Sequence, residues 1–82
     1  MSNVKIAEYE GVSARILGND KSTVFFQALA TDPADFTRDR LKKLQELLGY
    51  HPDGYDFYNF GVLYSDEDGY YHKQWCCEAN CD

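Results

Sequence analysis

The residues best suited to chemistry crowd one end of the chain. All three cysteines fall within W-C-C-E-A-N-C-D, Trp75 to Asp82, and His72 stands just ahead of them. The resulting H-x3-C-C-x3-C is not a spacing that typifies structural zinc sites. Cys76 and Cys77 are adjacent, and consecutive strand residues point to opposite faces, so one metal cannot use both while the strand continues. A disulfide from Cys81 to either neighbour needs Cα atoms within about 7 Å, which a turn through Glu78-Ala79-Asn80 can supply. Redox pairs usually appear as C-x-x-C beside a helix start, and that pattern is missing. Cys77 is therefore expected in the core, with Cys76 and Cys81 as ordinary thiols. A metal or redox role for the cysteines ranks third among the functional readings.

Other catalytic signatures are missing too. His51 lies in G-Y-H-P, a turn context. No serine or threonine falls in a nucleophile motif, and there is neither a glycine-rich phosphate loop nor an H-E-x-x-H. Asp66-Glu67-Asp68-Gly69 lacks the length and closing glutamate of a calcium loop and reads as a polar hairpin tip. The expectation is a non-catalytic chain with no cofactor and no metal ligands.

What the second half does concentrate is acid and aromatic side chains. Residues 1–45 carry seven Lys/Arg against six Asp/Glu, whereas residues 46–82 carry eight Asp/Glu and one basic residue, Lys73. Essentially the whole net charge of −6 thus sits after residue 45. Such a potential repels nucleic acid and lipid headgroups and attracts basic protein surfaces. Nine of the thirteen aromatics lie between Tyr50 and Trp75, interleaved with those acids. Strand alternation cannot bury Tyr70 and Tyr71 together on one sheet face, so some must point outward. Tyrosines among charges are the usual makings of a protein-binding patch. The partner-binding residues expected on these grounds are Asp53, Tyr55, Asp56, Tyr58, Asp66, Glu67, Asp68 and Tyr70.

The leading expectation is a small acidic binding module that occupies a basic surface, one that normally holds nucleic acid, without binding nucleic acid itself. In size and acidity the chain resembles the small phage-encoded inhibitors of bacterial defence, the anti-CRISPR and anti-restriction class. That resemblance is one of class and carries over no residue. The alternative is a structural subunit or homodimer assembled through an open sheet face.

The elements that must position these residues follow from periodicity. Residues 4–17 alternate imperfectly around Gly11, Gly18-Asn19-Asp20 signals a turn, and residues 22–30 contain T-V-F-F, giving a first hairpin. Asp32 as N-cap, Pro33 at the first position and Gly49 past the end predict a helix over 33–48. Phe36, Leu41, Leu44, Leu47 and Leu48 span an arc of about 140° on it. Arg40 falls inside that stripe, with its stem along the core edge or its guanidinium anchoring an acid. F-Y-N-F-G-V-L-Y and Y-Y-H-K-Q-W-C-C form a second hairpin around Asp68-Gly69. With a two-residue turn, Val62 faces Trp75 and Tyr64 faces Lys73, and Tyr58, Phe60, Val62 and Tyr64 share a face with Tyr71, Trp75 and Cys77.

The fold expected is α+β, about four antiparallel strands in β-β-α-β-β order with one amphipathic helix on one sheet face. A chain this short makes a single domain, residues 1–82, burying about 60–65% of its unfolded surface. It has no run of roughly 18 apolar residues and no signal-like start, so no membrane association and a cytoplasmic location are expected.

Overall fold

The computed structural model describes residues 5–58, 61 and 63–79. Six antiparallel strands form one sheet, β1 (Ile6–Tyr9), β2 (Val12–Asp20), β3 (Thr23–Ala30), β4 (Tyr55–Tyr58), β5 (Leu63–Ser65) and β6 (Tyr71–Ala79). One α-helix, α1 (Arg38–Leu47), lies between β3 and β4 in sequence. The spatial order is β1-β2-β3-β6-β4, with β5 also paired to β6. The class is α+β as expected, but the described residues form six strands where about four were expected, in the order β-β-β-α-β-β-β.

Both additional strands arise from breaks in the runs read as continuous. Glu10 and Gly11 take φ of 47° and 84°, the left-handed pair that a two-residue hairpin needs, so β1 folds back on β2. Gly18-Asn19-Asp20 is not a turn. It stays in β2, where Leu17 is an extra residue between the Ile16–Phe26 and Gly18–Phe25 pairs, and the chain reverses at Lys21-Ser22. After the helix, β4 and β5 pair in turn with β6, but two additional residues separate Tyr58–Cys76 from Leu63–Lys73.

The expected helix over 33–48 also divides. Asp32 caps a 3₁₀ turn, Pro33–Asp35, its carboxylate accepting from the Ala34 amide at 2.9 Å. Phe36 leaves helical geometry at ψ 59°, and Thr37 restarts the chain as the N-cap of α1, its hydroxyl accepting from the Arg40 amide. Gly49, at φ 105°, ends the helix where expected.

One face of the sheet packs against α1. β3 alternates strictly, burying Val24, Phe26, Ala28 and Ala30. The alanines leave room for Leu41, Leu44 and Leu48 of the helix, and Trp75 stacks on Phe26 with centroids 4.9 Å apart. Leu47 departs from the expected stripe and is 42% exposed. Its place in the core is taken by Gln45, which is fully buried with both amide atoms satisfied. Its Oε1 accepts from Trp75 Nε1 at 3.3 Å and its Nε2 donates to the Tyr50 carbonyl at 3.1 Å. A polar side chain thus ties helix to sheet without an unpaired group.

Arg40 serves as an anchor as well as a core-edge stem. Its guanidinium bonds Asp35 at 2.9 Å and lies 3.8 Å from Glu10 in the β1–β2 turn. Among the described residues, no helix is long and apolar enough to cross a membrane.

Candidate functional site

The face of the sheet turned away from α1 carries no covering element among the described residues, and its composition follows from the strand registers. Reading across neighbouring strands, one row is Glu8, Ser13, Leu29, His72 and Tyr64. The next is Ile6, Arg15, Gln27 and Gln74; beyond it come Phe25, Cys76 and Tyr58, then Thr23, Glu78 and Asp56.

The hairpin between β5 and β6 decides who belongs to this face. The expected two-residue turn at Asp68-Gly69 is replaced by a three-residue loop, Glu67-Asp68-Gly69, closed by the Asp66 amide donating to the Tyr70 carbonyl at 2.9 Å. Gly69 supplies the left-handed residue at φ 87°. The register therefore slips by one, which exchanges faces. Tyr64 meets His72 rather than Lys73, and Leu63 meets Lys73. Tyr58 and Tyr64 consequently lie opposite Trp75 and Cys77 across the sheet rather than beside them. Phe60 and Val62 lie outside the described residues.

A hydrogen-bond chain crosses four strands of this face. Arg15 Nε and Nη2 both donate to Gln27 Oε1, at 3.3 and 3.0 Å. Gln27 Nε2 donates to the Tyr64 hydroxyl at 3.0 Å and stands 3.4 Å from His72 Nδ1. His72 Nε2 lies 2.7 Å from Asp66 Oδ2, and the ring stacks flat on Tyr64 at 4.7 Å. Because arginine only donates, it fixes which end of the Gln27 amide is oxygen. The amide nitrogen then makes His72 Nδ1 an acceptor and Nε2 the N–H that Asp66 receives.

Asp66 is thus a structural carboxylate. Its Oδ1 also accepts from the Asp68 and Tyr70 amides at 2.9 and 3.0 Å. The His72 hydrogen bond, then the Tyr70 amide, hold its carboxyl below the usual 3.8. A depressed folded-state carboxyl contributes stability at pH above 3.8 that is lost as pH falls through the lowered value. Asp66→Asn is expected to destabilise at neutral pH, with the gap from the parent closing as pH is taken below about 4. Urea midpoints of both chains measured from pH 7 to pH 3 check this; a constant gap would remove the carboxylate from the account.

The other expected site residues do not form one surface. Asp53 sits in the loop before β4, its amide donating to His51 Nδ1 at 3.2 Å. Tyr55 is half-buried and packs edge-on against Tyr50, on the face of β4 opposite to that of Asp56 and Tyr58. Asp56 and Tyr58 do share the open face, and Asp56 stands directly opposite Glu78. Glu78, followed by burial and then Asp56, raises the Tyr58 hydroxyl above its usual value, the mark of concentrated negative potential. Glu67, Asp68 and Tyr70 are exposed at the hairpin. The seven steps along β6 from Tyr71 to Glu78 put the two acidic patches about 23 Å apart.

Arg15, Gln27, Tyr64, His72 and Glu78 were not read from sequence as site residues; their assembly depends on a register that no local motif specifies. On the opposite side of β4, Arg38 and Lys42 lie over the Phe57 ring at 5.4 and 5.9 Å. Cys77 is buried, which pushes its thiol up to about 11, and Cys76 is half-exposed on the open face. The third cysteine, Cys81, lies outside the described residues. No group of three or more potential metal ligands occurs among the described residues. Compared with known proteins, the chain matches no family model, no curated protein and no solved structure.

Proposed function

We propose that the chain is a non-catalytic protein-binding module that docks its open sheet face on a basic protein surface, with Asp56, Tyr58 and Glu78 as the leading edge. The observation that supports this most is the Asp56–Glu78 pair. Like charges directly opposite on neighbouring strands destabilise a sheet. Such a pair becomes favourable when a cation from outside sits between the two carboxylates, with the Tyr58 ring beside it. The hairpin-tip acids Glu67 and Asp68 form a second contact patch. A target surface that normally holds nucleic acid fits this chemistry, since carboxylates then stand where phosphates would. The function of the module is on this reading inhibitory, by occupation.

Affinity is expected to fall steeply between 50 and 500 mM salt, because exposed pairs are screened over about 10 Å at 0.1 M. The double variant Asp56→Lys, Glu78→Lys should slow association with a target co-purified from native cells by about tenfold or more. Lys43→Glu, on the outer helix surface, should leave the rate intact. Surface plasmon resonance with the identified target reads all three, and duplex DNA or RNA added as competitor reads the inhibitory part. Binding indifferent to salt and to the double reversal would reject the proposal.

The exposed Ile6 and Tyr64 on the same face favour a second reading, assembly of copies of the chain. Sedimentation across a concentration series separates the two.

A further inference from the structure

The row that carries Arg15 borders a hollow of about 230 Å³, lined on its apolar side by Ile6 and Leu29 and on its polar side by Arg15, Gln27 and His72. Among the described residues, Arg15 has no carboxylate within ion-pair distance, unlike Arg40, which holds two. Two of its N–H groups are spent on Gln27, and Gln27 is itself held by Tyr64 and His72. The guanidinium is therefore held in direction, and no hydrogen bond among the described residues uses its Nη1 side. A charged fork already ordered by folding loses little further freedom when it receives an anion. The hollow is smaller than the roughly 300 Å³ at which drug-sized pockets begin, so its occupant is small.

We propose that this hollow binds a small amphipathic carboxylate, with the acid group on the free side of the Arg15 fork and a short aliphatic body against Ile6 and Leu29. The apolar wall disfavours phosphate or sulfate, which would bring charge without a body to bury, and an arginine with no carboxylate partner among the described residues disfavours a neutral occupant. A free short-chain acid and the terminal leucine of a peptide share this chemistry. The hollow lies on the same open face as the Asp56–Glu78 corner but shares no residue with it, and its chemistry does not depend on that corner docking a protein.

Three probes test it on the whole chain by amide chemical-shift titration: hexanoate, its neutral counterpart hexanamide, and N-acetyl-Gly-Gly-Leu with a free carboxylate. Hexanoate is expected to give saturable shifts at Ile6, Arg15, Gln27, Leu29 and His72, with hexanamide at least about tenfold weaker, as for loss of a charge-assisted pair. Arg15→Gln should bring hexanoate down to the hexanamide level while the variant keeps a folded, dispersed amide spectrum. Ile6→Ser should weaken both compounds alike. Tighter binding of the tripeptide would identify a chain terminus as the source, and tighter hexanoate a free acid; both support the shared chemistry. Shifts that do not saturate, equal binding of acid and amide, or an Arg15→Gln protein that binds hexanoate as before would overturn the proposal.

Discussion

Gly61→Ala should destabilise the protein by at least about 2 kcal/mol, the scale of forcing extra volume into a packed site. A Cβ at Gly61 would run into the main-chain carbonyl and the Cβ of Gln74 in β6. A backbone cannot step aside as a flexible side-chain end can, so the chain at 61 would have to lift from β6. That lift would also withdraw the Gly61 carbonyl that receives Lys73 Nζ at 3.1 Å. The whole stability of an 82-residue chain is roughly 4–12 kcal/mol, so the loss is a large fraction of it. Gly54→Ala is the control. Its Cβ meets nothing within 4 Å, and the substitution should be neutral or stabilising by up to about 1 kcal/mol. Urea midpoints of the two variants check the pair, and equal midpoints would refute the close approach at Gly61.

Leu44→Ala should cost about 2–5 kcal/mol, because Leu44 is fully buried between α1 and the sheet and its removal leaves a cavity that rigid neighbours cannot fill. Leu47→Ala, one turn-position away on the same helix, should cost under about 1 kcal/mol. The contrast separates two accounts of the helix. A stripe chosen by hydrophobicity buries both leucines, whereas the observed packing buries Leu44 and Gln45 and leaves Leu47 out. Equal losses in thermal unfolding would show that the helix sits rotated from the orientation described.

These cases indicate where sequence legibility ends. Strongly marked or punctuated features could be read directly: the strand-forming run of β3, the glycine that stops the helix, the two-layer α+β class, and the opposite faces of Cys76 and Cys77. What escaped was set by small energetic choices among similar local signals. Asp32 and Thr37 are both good caps, and both are used, so one expected helix became a 3₁₀ turn and a shorter α-helix. Gln45 was not singled out in the sequence, because only the fold reveals Trp75 Nε1 and the Tyr50 carbonyl as its partners. The hairpin at Asp66 hid a three-residue loop behind an Asp-Gly pair that suits a two-residue one, and that single step moved Tyr64 across the sheet. Of the expected site, Asp56 and Tyr58 were placed together with Glu78. Asp66 was instead committed to holding the fold, for which the sequence offered no sign, and Tyr55 lies on the other face of β4.

The interruption between β4 and β5 also bears on how the protein behaves when crowded. An uninterrupted outer strand exposes a ladder of main-chain donors and acceptors on which other chains can template. Here one margin of the sheet is a four-residue strand, and the other is split into pieces of four and three residues that are out of step by two. Among the described residues, neither margin offers a long register for lateral growth into fibrils. A broad tyrosine-bearing face is therefore expected to stay open at high concentration without growth along the described rims.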